Sequence, residues 1–240
     1  MLALYHFGPV ANSLTPLLCL LEKGAEFDSR PLDSRKWEHH SPEFRAINPE
    51  GTVPVLIHDG RAVRESTVIN EYLDEVLPEP RLRPDDPWLR AQMRVLTKYV
   101  DENFCPALTV LGAQGAVSFA SQIDKAEMAR RLAAMPNAEV RRKWEWVSSD
   151  GYPERELADA RRRVGGAAER LEQALADGRD WLLGEAFSLA DIKWFSMARA
   201  LPRFLPETCN AAVTPRLTGW LERMEARRAV QALADYALRR

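Results

Sequence analysis

No apolar run in this 240-residue chain approaches the ~20 residues that a membrane-spanning helix needs. Its start, Met1-Leu2-Ala3-Leu4-Tyr5-His6, has neither the cationic head nor the apolar stretch of a signal peptide. No membrane is expected as a partner, and the chain reads as cytoplasmic. Cysteine is scarce: Cys19, Cys105 and Cys209 are odd in number, widely spaced and without a C-x-x-C pair, which argues against a disulfide framework or a zinc site. Each reads as a small buried hydrophobe. Among the four histidines only His39-His40 are adjacent, and no third ligand is spaced to join them, so no metal is expected. Charge of one sign is lacking too: 33 Lys and Arg stand against 35 Asp and Glu, a net charge of -2, which leaves no electrostatic reason for nucleic acid as a partner. The cluster Arg161-Arg162-Arg163 reads as a solvated helix face. Repeats and low-complexity tracts are absent.

What is present suits a globular enzyme-sized chain, with 46% apolar and 28% charged residues. Leu2 to Phe7 alternates as a strand, Gly8-Pro9 breaks it, and Asn12-Ser13 is expected to open a helix with Leu14, Leu17, Leu18 and Leu21 on one face. Pro16 is tolerable in a first turn, where its missing N–H has no intrahelical partner. A second strand from Glu26 to Leu32 and a partly helical stretch from Arg35 to Ile47 follow. A third strand opens at Val53-Pro54, Asp59-Gly60 makes a hairpin to a fourth strand from Arg61 to Arg64, and a helix runs from Ser66, its expected N-cap, to Pro78. The order is βαβαββα. Residues 79–87, rich in proline and charge, divide a first domain, 1–78, from a second, 88–240, that reads as helix throughout. Within it, Pro106 kinks or restarts a helical pattern, Glu154 to Leu175 is a long helix, and Ser188-Leu189-Ala190-Asp191 has the form of a capping box.

Asn48-Pro49-Glu50-Gly51-Thr52-Val53-Pro54-Val55-Leu56 organises this arrangement. Proline belongs at a strand start, and a cis Val53-Pro54 bond would turn the main-chain N–H and C=O of Val53 outward to pair with an extended peptide. Together with Glu65-Ser66 and Phe187-Ser188-Leu189-Ala190-Asp191, this stretch resembles the cytosolic glutathione S-transferase superfamily. The resemblance implies a thioredoxin-like N-terminal domain, an all-helical C-terminal domain, glutathione as co-substrate and a homodimer. More narrowly, Leu4 to Pro9 with Ala11 to Leu14, Met93-Arg94-Val95 with Lys98 and Val100-Asp101-Glu102, and Lys143-Trp144 with Gly151 are similar to bacterial glutathione-dependent β-aryl etherases. Those enzymes cleave the β-O-4 aryl ether of lignin-derived α-keto aromatics.

By that resemblance, Thr52, Val53 and Pro54 hold the cysteinyl main chain of glutathione and Glu65 takes the γ-glutamyl ammonium. Ser66 takes the γ-glutamyl carboxylate, at a helix N-terminus that favours anions. His39 or His40 holds the glycyl carboxylate, with His39 fitting the spacing slightly better. Ser13 or Asn12, near the start of the first helix, donates to the thiolate; a cap role for Ser13 competes for the same hydroxyl. Tyr5 lies on the strand and does not match the tyrosine of classes that use one. Ser13-Leu14-Thr15-Pro16 stands where thiol–disulfide enzymes of this fold carry C-x-x-C, so no redox exchange through a protein cysteine is expected. Aromatic residues from Trp144 to Tyr152 suit a flat methoxyphenyl acceptor, although Trp144 and Trp146 read first as packing residues. The alternatives are a general conjugating transferase, which the sequence does not exclude, and a non-catalytic binding module.

Overall fold

Leu2, Leu4 and His6 alternate with Ala3 and Tyr5, so β1 (Leu2–His6) buries one face and turns the other toward Phe44 through Tyr5. The computed structural model describes residues 1–149 and 151–237. The first helix, α1 (Ala11–Glu22), is followed by β2 (Asp28–Pro31), a 3-10 turn at Glu38–His40 and α2 (Pro42–Ile47). The hairpin of β3 (Val55–His58) and β4 (Arg61–Arg64) turns at Asp59-Gly60, both with positive φ, and leads into α3 (Ser66–Val76). The sheet order is β2-β1-β3-β4, parallel between β1 and β2 and antiparallel elsewhere. That is the expected βαβαββα unit.

Three expectations at helix starts change. The N-cap of α1 is Val10, so Asn12 and Ser13 lie inside the first turn and neither caps it. Because the helix begins early, Pro16 falls beyond that turn, and the Asn12 carbonyl loses the N–H that residue 16 would otherwise supply. Likewise Glu65, not Ser66, is the N-cap of α3: its φ of +67° swings the chain out of β4 and makes Ser66 the first helical residue. The third strand also starts later than expected, at Val55, where Tyr5 and Arg64 provide the last rungs. Val53 therefore precedes the ladder, and the Val53-Pro54 bond is cis.

Between the sheet-bearing part and the helices, Lys23 anchors the proline-rich link. Its fully buried ammonium pairs with Asp74 and donates to the carbonyls of Leu77 (2.7 Å) and Pro80 (2.6 Å). Asp74 in turn accepts the Leu82 N–H, and the Leu82 carbonyl accepts the Leu189 N–H, each at 2.8 Å. The helical part begins with α4 (Pro87–Tyr99), a π-helical turn at Val100–Phe104 and α5 (Cys105–Ala113). Pro106 has no N–H for the Glu102 carbonyl, and Arg163 instead donates to the Glu102 (3.3 Å) and Asn103 (3.0 Å) carbonyls. Short helices α6 (Val117–Ala120) and α7 (Lys125–Ala134) precede α8 (Ala138–Ser148), so the aromatic stretch begins on a helix that the sequence did not announce. Next come α9 (Glu154–Ala174), α10 (Leu189–Ala198), α11 (Leu201–Phe204), α12 (Pro215–Glu225) and α13 (Arg228–Ala232). Every residue of α10 is buried, and the helix packs against α1, α3, α4 and α12. Among the described residues, no helix is long and apolar enough to cross a membrane.

Candidate active site

Ser13 sits in the first turn of α1, 3% exposed, with its Oγ accepting the Phe7 N–H at 3.1 Å. That bond uses a lone pair and leaves the hydroxyl proton to donate. Asn12 beside it turns Oδ1 toward Lys193 Nζ (3.1 Å) and Cys105 Sγ (3.7 Å). An ammonium has no acceptor, so the oxygen of Asn12 must face Lys193, and the amide NH2 is the group left over. Burial pushes the Cys105 thiol up and outweighs the neighbouring Lys193 charge, so this cysteine stays protonated at neutral pH.

Lys193 is the site residue that sequence reading missed. It is 1% exposed, reaches from α10 to Ser66 Oγ at 3.0 Å as well as to Asn12, and pairs with Asp101 Oδ1 at 2.6 Å. Asp101 lies on the π-helical turn, and its other oxygen accepts from Thr67 Oγ1 at 2.6 Å. One ammonium thus brings together Asn12 and Ser66, two predicted site residues from opposite ends of the sheet-bearing part. The available signal was a lysine inside the apolar run Ile192-Lys193-Trp194-Phe195.

At the start of α3, Glu65 is exposed, Ser66 is 5% exposed, and no side chain caps the first turn. Its leading N–H groups and the Ser66 hydroxyl form an anion-favouring end. Thr52 is held by Asn48, whose Nδ2 donates to the Thr52 carbonyl (2.7 Å) and Oγ1 (3.1 Å). Pro54 is buried and Val53 half-buried beside that loop. Gly51, at φ +63°, lies under the His40 ring, where an added Cβ would come within 2.9 Å of Nδ1. A side chain there would displace the ring.

His39 is buried edge-on against Phe7, ring centroids 4.9 Å apart, and Phe7 in turn contacts Ser13. Burial lowers the pKa of His39 to about 3, and that of His40 also falls, chiefly by burial. His39 is therefore neutral at physiological pH and offers an N–H rather than a positive charge. Its Nδ1 and the Nε2 of His40 are buried without partners among the described residues. Trp37 packs 4.5 Å from Trp144, centroid to centroid, and Arg131 and Lys143 lie over these two rings. Trp144 is a packing residue, 8% exposed, as expected, whereas Trp146 is half-buried beside Tyr152.

The glutathione S-transferase N-terminal domain profile matches residues 11–76, and the C-terminal domain profile of the same family matches residues 124–228. Protein LigF of Sphingobium sp. strain SYK-6 is 43% identical across 99% of this chain and 95% of that protein. The chain belongs to the glutathione S-transferases. The crystal structure of beta-etherase LigF superposes on this transferase with a TM-score of 0.93 over 98% of each chain. A glutathione transferase homologue from sulfitobacter, solved with bound glutathione, is 24% identical with a TM-score of 0.70 over 98% of this chain and 97% of its own, and shares the fold. Membership gives the transferase its co-substrate class, a thiol peptide with two carboxylates and an ammonium. Asn12, Ser13 and Ser66 offer side-chain donors of the kind such a ligand needs.

Proposed function

We propose that this transferase binds glutathione along Thr52, Val53 and Pro54 and uses it to cleave the β-O-4 aryl ether of lignin-derived α-keto aromatics. The observation that carries the proposal is the likeness, along nearly the whole of both chains, to a protein described as a beta-etherase. Local chemistry supports the fit. The uncapped start of α3 with the Ser66 hydroxyl suits the γ-glutamyl carboxylate, and exposed Glu65 suits the ammonium. His39 and His40 are assigned the glycyl carboxylate by family spacing, and each keeps one buried, unpartnered ring nitrogen. Ser13 and Asn12 each keep a donor free for the sulfur.

A carbon–sulfur bond forms at the carbon α to the ketone as the bond from that carbon to the aryl oxygen breaks, and the electron pair leaves with a phenolate. The neighbouring carbonyl already activates the carbon, so the protein acts chiefly on the thiol and on orientation. A free thiol titrates near ~8.5, and lowering that by about two units takes roughly 2.7 kcal/mol of preferential thiolate stabilisation. Within this proposal, residues 1–78 hold glutathione, 79–87 link, and 88–240 supply the acceptor pocket. The three free cysteines suit a reducing, cytoplasmic setting. Incubation of the protein with glutathione and an α-keto β-aryl ether should release a free phenol and a glutathione thioether. Intact ether beside conjugation of a generic aryl halide would instead favour a general transferase.

A further inference from the structure

We infer that Lys193 is a positioning residue that fixes the hydrogen-bond polarity of Asn12 and Ser66, so that both present only donors to the thiolate and the γ-glutamyl carboxylate of glutathione. This assignment rests on the glutathione reading of these residues. An ammonium carries three donors and no acceptor. All three are used here, on Asp101 Oδ1 (2.6 Å), Ser66 Oγ (3.0 Å) and Asn12 Oδ1 (3.1 Å), by a side chain that is 1% exposed. Ser66 Oγ is therefore an acceptor toward Lys193, and its proton is free for an anion. Asn12 is locked in the same way with its NH2 on the far side from Lys193. Without the ammonium, a hydroxyl can rotate and an amide can flip, and either can then turn a lone pair toward a negatively charged ligand.

The surroundings support a role toward a ligand. Burying an ammonium is costly, and an apolar side chain of similar volume would join the domains at lower cost. Among the described residues, the charged and titratable groups around Lys193 are Asp101 on the π-helical turn, Cys105 on α5, whose Sγ shares Asn12 Oδ1, and Glu71 on α3. Glu71 is itself paired with Arg94 at 2.6 Å. Asp101 is thus the direct counter-charge, held at 2.6 Å by Thr67. Because one nitrogen touches groups assigned to both ends of the γ-glutamyl-cysteinyl unit, glutathione affinity and thiol ionisation should change together when it is lost.

The test is titration of bound glutathione by thiolate absorbance in the wild type, Lys193→Met, Lys193→Arg and Lys193→Gln. Lys193→Met should raise the thiol pKa by about one unit, roughly tenfold less thiolate at a pH below both values, and weaken glutathione binding. Lys193→Arg, also donor-only, should recover most of the ionisation. A lysine with only a structural role would leave the titration at the wild-type value while lowering the unfolding midpoint, and that result overturns the proposal. Should Lys193→Met fail to fold, Lys193→Gln decides, because its amide can turn an oxygen as well as an N–H toward Asn12 and Ser66: the thiol pKa should rise, and an unchanged pKa overturns the proposal. Calorimetry on the wild type separates the two levels. No glutathione binding there defeats the glutathione reading and this inference together, whereas binding with unchanged titrations in the variants defeats this inference alone.

Discussion

Ser13 and Asn12 differ in what their side chains already do. Ser13 Oγ accepts the Phe7 N–H and so pins the turn between β1 and α1, while Asn12 Oδ1 is held by Lys193. Each retains a donor, and a sequence alone cannot rank them, because the ranking depends on partners remote in the chain. Replacing Ser13 by Ala removes one O–H donor and strands a partly buried N–H. The stranded N–H should cost about 1–3 kcal/mol of stability, read as a lower urea midpoint at unchanged slope. If Ser13 is the thiolate donor, kcat should also fall by about 10²-fold, as for loss of one donor to a developing anion, and the bound thiol should titrate higher. A lower midpoint with an unchanged titration would make Ser13 an anchor and pass the donor role to Asn12. Cys105 does not compete for the chemistry, since its burial keeps it a thiol.

The helix α10 shows what a sequence reveals of an element and what it conceals. Its start was legible: Ser188 Oγ accepts from the Ala190 N–H at 3.2 Å and the Asp191 carboxylate accepts from the Ser188 N–H at 3.0 Å, a capping box with a shortened acid. Its most consequential residue was not, because Lys193 acquires meaning only from Asn12, Ser66 and Asp101, each on another element. The π-helical turn that aims Asp101 was signalled only as a kink at Pro106, and α8 was obscured by the aromatic residues that form its packing face. Asp191 does more than cap. Its buried carboxylate also accepts from Leu182 N–H (3.0 Å) and Trp220 Nε1 (3.1 Å). Burial pushes its pKa up to about 6 while these donors pull it back, so it is ionised at neutral pH. Asp191→Ala should strand four buried donors, the Ser188 hydroxyl (3.1 Å) among them, and cost about 3–5 kcal/mol in urea unfolding. Asp191→Asn, which keeps one acceptor oxygen, should recover part of that loss. Equal midpoints for wild type and Asp191→Ala would refute this account of the cap.

Across the whole molecule, fold was more legible than site because it depends on local punctuation. Gly8-Pro9, Asp59-Gly60, Pro54 and the proline-rich link each set an element boundary within a few residues. The link between the two halves depends instead on pairs such as Lys193 with Asn12 and Arg227 with Glu22, separated by 181 and 205 positions. Assembly adds a third level. Val68 on α3 and Trp88 and Val95 on α4 are 54%, 65% and 51% exposed, on adjoining helices that Arg94 and Glu71 tie together. Large side chains left in water on neighbouring elements mark an interaction surface, and a two-fold pairing of identical faces is the commonest way to cover one. We propose that this face joins two copies of the chain. Light scattering should then give twice the 27.2 kDa of one chain, and Val95→Glu, which places a charge on each side of the two-fold, should give the monomer with unchanged helical circular dichroism. A wild-type mass of one chain would remove the proposal, and a dimer undisturbed by Val95→Glu would move the interface to another face.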